Sequence, residues 1–178
     1  MIGLPRGKVL IEDYKIEWRE EFEKEKESLF AVIGQFVQAI EHIGSTAVPG
    51  LCAKPVIDIA VGVQELKAVK DCIEPLSSIG YEYRGEAGIP GRHFFVKGSR
   101  KTRTHHVHVE LLNGPLWHSH ILFRDYLRSH PKEATAYAKL KRAIAKKYSD
   151  DRDAYTLEKN SYIEGIVKIA LKESDLKD

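Results

Sequence analysis

The stretch at residues 56–63, VIDIAVGV, constrains this chain more than any other, because it keeps a two-residue period and carries a single charge within it. Alternate side chains of a strand point to opposite faces. Ile57, Ile59, Val61 and Val63 therefore form an aliphatic face, and Val56, Asp58, Ala60 and Gly62 share the other. An unpaired carboxylate in such surroundings costs several kcal/mol if buried. Asp58 thus needs a cation or donors, supplied either by a functional partner or by a structural ion pair with Lys54, Arg84 or Arg92.

A second strand of the same kind follows at residues 104–111, THHVHVEL, where Val107, Val109 and Leu111 alternate with His106, His108 and Glu110. Residues two apart on a strand project to one side about 6.5 to 7 Å from each other, so these three can line one wall. Imidazole with carboxylate suits zinc or manganese, and carboxylate with phosphate suits magnesium. The same alternation also builds a solvated sheet surface, and the residues alone leave both readings open. His105 points the other way and reads as structural. His118, His120 and His130 sit near helix ends without ligand spacing to one another and are set aside.

Around these strands the pattern is mixed. Residues 9–12 read as extended, and residues 17–33 as an amphipathic helix through Trp18, Phe22, Leu29, Phe30 and Ile33. Residues 36–43 read as a strand that runs into Gly44-Ser45-Thr46, with a turn at Pro49-Gly50. A helix over 66–79 would be kinked or interrupted by Pro75, and two short strands, 81–84 and 92–97, flank the glycine-rich loop GEAGIPG. The last third is helical, over 116–129, 132–148 and 151–171, the final helix capped by Asp150 or Asp151. A block of strands followed by a block of helices predicts an α+β fold with a mixed sheet, helices covering mainly one face.

The strand ending in Gly44-Ser45 lets backbone approach a ligand closely, and N-H groups plus a hydroxyl make a phosphate cradle. A tight turn with Ser45 capping it gives the same pattern. Lys54, Arg84, Arg92 and Lys97 are spread over the predicted strand ends and can neutralise a polyphosphate or acidic substrate. Lysine and arginine total 28 against 26 acidic residues, so no global field recruits nucleic acid. Runs such as REEFEKEKE and KLKRAIAKK read as solvated helix faces, and nucleic acid is discounted as a partner.

A length of 178 residues, with 43% apolar and 30% charged residues, predicts one domain over 1–178. Cys52 and Cys72 lack CxxC spacing and read as reduced thiols. Without an apolar run of signal-peptide or membrane-span length, the expected compartment is the cytoplasm.

Together EHIGSTAVPGLCAKPVIDIAVGV, RGEAGIPGRHFF, HHVHVEL, LFRDYLRSHP and DDRDAYTLEKNSYIE resemble the GrpB family, over about residues 9 to 170. The resemblance implies a nucleotidyltransferase-like fold, similar to that of DNA polymerase β-like enzymes. In that superfamily a Gly-Ser pair precedes a strand with Asp-x-Asp, and a later strand adds a third carboxylate, so that two magnesium ions position nucleotide phosphates. Gly44-Ser45 and Asp58 match, Ala60 stands where the second carboxylate belongs, and Glu110 takes the third place beside His106 and His108. The resemblance thus implies a metal-dependent nucleotidyltransferase-like protein acting on a nucleotide or other phosphorylated small molecule. Asp58, His108 and Glu110 would be catalytic. Gly44, Ser45, Thr46, Lys54, Arg84 and Arg92 would hold phosphate, and Asp58, His106, His108 and Glu110 the magnesium, manganese or zinc. No organic cofactor is evident. Two alternatives remain: a noncatalytic binding module that lost its second carboxylate, and a single-metal phosphohydrolase built on His106-x-His108-x-Glu110. The first reading requires Asp58 and the histidine strand to face the same side of the sheet.

Overall fold

A computed structural model describes residues 2–5, 9–99 and 101–175. Its elements run β1 (Leu4–Pro5), α1 (Glu17–Ile33), β2 (Ala39–Ile43), β3 (Ile57–Val63), α2 (Val69–Ser78), β4 (Tyr81–Tyr83), β5 (His93–Gly98), β6 (Thr102–Leu111), α3 (Pro115–Ser129), α4 (Pro131–Lys147) and α5 (Arg152–Asp175). The strands form one six-stranded sheet in the order β2-β3-β6-β5-β4, with β1 pairing the start of β6. Among the described residues, only β3 and β6 pair in parallel. A parallel pair needs a crossover, and α2, β4 and β5 supply it. The mixed α+β sheet is the one predicted.

The aliphatic faces of β3 and β6 do what their period requires. Ile57, Ile59, Val61, Val107 and Val109 are fully buried under α1 and α2, against Trp18, Phe22, Leu29, Ile33 and Leu76. Helix α1 buries positions 18, 22, 25, 29 and 33. That stripe leaves no room for Phe30, expected in the apolar set, which is 65% exposed. It also turns Glu25 inward, where its carboxylate accepts hydrogen bonds from the Tyr81 hydroxyl (2.9 Å) and Lys97 (2.8 and 3.0 Å). REEFEKEKE is therefore not wholly a solvated face.

Helices do not keep to one side, contrary to the expectation drawn from their sequence block. Helix α3 lies over the opposite face, where Trp117 packs against Ile43 and Ala60, and α4 and α5 pack on α3 around Phe123, Leu127, Tyr137 and Ile166. Three helices in succession cannot all join the face already occupied by α1 and α2. Other departures are local. Gly34–Phe36 winds into a 3-10 turn, so β2 begins at Ala39 rather than at residue 36. Helix α2 continues through Pro75 to Ser78, because the carbonyl left unbonded by the proline ring belongs to solvent-exposed Asp71. Pro115 and Pro131 each open a helix, where a missing N-H is no loss. Asp151, one of the two expected caps, accepts from the Ala154 N-H at 2.9 Å and starts α5. No helix among the described residues is long and apolar enough to cross a membrane.

Candidate phosphate and metal site

The parallel register between β3 and β6 sets Asp58 beside His106 and Ala60 beside His108. Both polar runs thus face the same side, away from α1 and α2. Asp58 Oδ1 lies 3.1 Å from His106 Nδ1 and 3.7 Å from His108 Nε2. Burial by itself pushes the Asp58 carboxyl up, but the His106 hydrogen bond and the polar and charge interactions of both histidines outweigh it and hold the group well below the usual carboxylate range. Burial likewise pushes His108 down, against the pull of Asp58. Asp58 is therefore an anion at neutral pH. Phe94, on β5, tilts against both imidazoles, with ring centroids 5.2 and 5.1 Å away.

At the end of β2, Ile43 pairs with Asp58, and the next residue turns over that carboxylate. Gly44 takes φ +70°, and a Cβ there would stand 2.9 Å from Asp58 Oδ2. Glycine is required twice, for the backbone angle and for the close approach. Ser45–Ala47 then form a 3-10 turn whose N-cap is Gly44, so Ser45 does not cap it by its side chain.

A cavity of about 420 Å³ opens over Asp58, and it gathers Gly44, Ser45, Thr46, Lys54, Arg92, His106 and His108 from the predicted set. Arg92 also closes the 85–91 loop by donating to the carbonyls of Glu86 and Ala87. Arg84 does not join them, because it pairs with Glu82 at 2.9 Å on the surface. Lys97 and His105 lie on the opposite face near Glu25, as expected only for His105. Glu110 follows His106 and His108 on their side of β6, but the strand has by then passed under α3. There it is 1% exposed, and its Oε1 sits 3.1 Å from His120 Nε2. The predicted wall of His106, His108 and Glu110 is thus divided.

The rest of the wall comes from the C-terminal helices, through Tyr137, Lys141, Tyr155 and Lys159, with His120 from α3. Lys141 belongs to the KLKRAIAKK run yet is 1% exposed. It donates to the Cys52 carbonyl, and burial pushes its ammonium down to about 7. Its spacing of four from Tyr137 was the available signal for a shared inward face. His120 offered none, since its partners lie on another element. Lys54 holds its ammonium 4.2 Å above the Tyr155 ring, a cation–π contact that fixes one cation at the rim.

A second, larger cavity of about 900 Å³ lies across the 44–47 turn and is lined by Arg19, Lys26, His42, Arg124 and Arg128. Thr46 borders both cavities, and its hydroxyl lies 2.9 Å from His42 Nε2. Sequence spacing gave no hint of this space, which forms only where α1 and α3 approach the turn.

A two-metal centre of the superfamily type does not fit these residues. Ala60 is completely buried against Ile43 and Trp117, so the position of the second carboxylate is both without a ligand atom and sealed. Of the carboxylates expected to hold metal, Asp58 borders the cavity and is the one of them that would supply an oxygen ligand there to a hard cation.

The mixed sheet, with a Gly-Ser turn over a carboxylate on the interior strand β3, is similar in fold to nucleotidyltransferases. The crystal structure of the Cid1 poly (U) polymerase with MgGTP bound superposes with a TM-score of 0.52 over 75% of this chain and 44% of that one, at 15% identity, a likeness of fold alone. Residues 8–168 match the family described as GrpB protein, and the chain belongs to the GrpB family. The crystal structure of conserved protein GrpB from Enterococcus faecalis agrees with a TM-score of 0.86, at 40% identity over 93% of this chain and 99% of that one. UPF0157 protein YqkA of Bacillus subtilis is 44% identical over 89% of this chain, which spans 46% of that relative's length.

Proposed function

We propose that the Asp58 cavity binds a nucleotide, or another phosphorylated small molecule, together with one divalent cation, as a nucleotidyltransferase-like site. One observation carries the reading: an ionised carboxylate lies directly beneath the Gly44-Ser45 turn, inside a cavity rimmed by Lys54 and Arg92. The turn and the basic rim favour phosphate, whereas Asp58 repels it. The two coexist when a cation stands between them, since opposite charges at such range attract far more strongly than in bulk water. Bound there, the ion would offset phosphate charge and polarise the phosphoryl oxygen. His106 and His108 keep the Asp58 carboxylate oriented and charged. The cavity volume fits a small ligand.

Burial of Ala60 beneath Trp117 supports a second reading, a module that kept ligand binding without turnover. The phosphohydrolase alternative built on His106-x-His108-x-Glu110 loses its support, because Glu110 does not line the cavity beside His106.

Calorimetric titration of ATP, GTP, CTP and UTP into chelator-treated protein, with and without magnesium or manganese, tests the proposal. Affinity that requires the cation and falls at least about tenfold in Asp58→Ala is expected. Equal affinity without cation and in Asp58→Ala would overturn the metal-dependent site and leave the binding module. Absence of binding by all four nucleotides would remove the nucleotide reading.

A further inference from the structure

Beyond the magnesium-type site at Asp58, we infer that His108, Glu110 and His120 form a separate centre for a zinc-class transition metal ion, seated where α3 crosses β6. One ligand atom from each of the three lies within 4.8 Å of the other two. The donor set is two imidazoles and one carboxylate, which favours zinc or a neighbouring transition ion over magnesium.

Two buried atoms give the independent reason. Glu110 is 1% exposed and its Oε2 has no hydrogen-bond partner, while the equally secluded His108 Nδ1 also lacks one. A buried carboxylate oxygen and an imidazole nitrogen left unpaired are each destabilising, and native structures keep few of them. A divalent ion answers both at once and neutralises the Glu110 charge. Tetrahedral ligands at roughly 2.0 Å from zinc stand about 3.3 Å apart, so the three side chains need to draw in by about an ångström. His120 is one-third exposed (33%) and has room to make that rotation.

The surroundings have the form that metal-bound histidine takes elsewhere. With the ion on His108 Nδ1, the other ring nitrogen, Nε2, is the one facing Asp58 Oδ1 at 3.7 Å. A carboxylate on the far nitrogen fixes the tautomer and orients the ring. His108 and His120 both border the cavity and Glu110 does not, so the ion's open position faces the ligand space. Three protein ligands with one open position are the pattern of reactive rather than purely structural zinc.

The test uses the full chain, treated with chelator and dialysed, and titrated with cobalt(II) followed by its visible absorption and with zinc by competition. One equivalent is expected to bind. Glu110→Gln and His120→Asn should each weaken that binding at least about tenfold, whereas His118→Ala, an exposed histidine two residues away, should leave it unchanged. Circular dichroism confirms that each variant is folded, and His120→Asn, at a partly exposed position, decides the matter should Glu110→Gln fail to fold. Lack of stoichiometric uptake, wild-type affinity in both ligand variants, or an equal loss in His118→Ala would each overturn the centre. Magnesium-dependent nucleotide binding that persists in Glu110→Gln would separate this centre from the Asp58 site.

Discussion

The two faces of strand β3 lie over inward-turned carboxylates that serve opposite ends. Toward α1 and α2, the aliphatic set is joined by one inward carboxylate, Glu25, which collects donors from Tyr81 and Lys97. On the reverse side, Asp58 is held by His106 and His108 but opens to a cavity, and Glu110 keeps one oxygen unpartnered. Depth of burial alone therefore does not separate structural from functional charge. What separates them is whether the protein itself completes the set of partners, and whether solvent-accessible space adjoins the group.

Adjacent residues on one strand should respond differently, which offers the sharpest break in this comparison. Ile59→Ala removes a fully buried side chain on the dry face and should lower unfolding free energy by about 3 to 4 kcal/mol in urea denaturation. Asp58→Ala should cost much less stability while losing the ligand. If both variants were equally destabilised, the polar face would be serving the core as well.

Next in size is the pH response of His42, which stacks on Phe22 (centroids 4.6 Å apart) and lies within the electrostatic influence of Asp58, Arg128 and Arg124. Burial pushes it down from 6.5 to about 4. The folded protein thus holds a neutral ring that the unfolded chain protonates below 6.5. Its contribution is full above that pH and falls as pH drops toward 4, by about 3 kcal/mol. Unfolding curves between pH 7 and 4 should show this slope, and His42→Gln should flatten it.

Gly44→Ala tests the junction between β2 and the cavity. A side chain at φ +70° that also meets Asp58 Oδ2 should cost about 2 kcal/mol and weaken phosphate binding, both measurable on one purified sample. Preserved binding with lost stability would show the turn to be structural only. Smallest of all, Arg84→Ala removes a surface ion pair and should change stability by less than about 0.5 kcal/mol and ligand affinity not at all. A clear effect on affinity would return Arg84 to the site.

Asp58, His106 and His108 were legible in the sequence because a two-residue period is local and the aliphatic faces of both strands lock the register between them. Gly44 was legible for a related reason, as a glycine placed where a strand must turn sharply. Glu110 followed the same period and still left the group, because the path of α3 over the sheet is a tertiary property that no strand pattern encodes. His120 entered for the same reason. Lys141 and Glu25 were hidden by composition: in a charge-rich helix, sequence shows how many charges there are and not which one turns inward. Phe30 failed conversely, one apolar residue too many for a stripe already filled by Leu29 and Ile33. The fold was therefore read more fully than the site's roof.

The parallel pairing of β3 with β6 also orders events in time. Asp58 meets His106 across 48 residues, whereas Glu110 meets His120 across only 10. Closing the longer loop carries an entropic penalty of about 3 kcal/mol before any length-independent part, and long-range pairings of this kind form slowly. The β6–α3 corner can assemble as a short local unit, and so can the β2–β3 pair, before β3 and β6 meet. During synthesis, Asp58 is made before His106, so the carboxylate of the cavity floor exists before the imidazole that holds it.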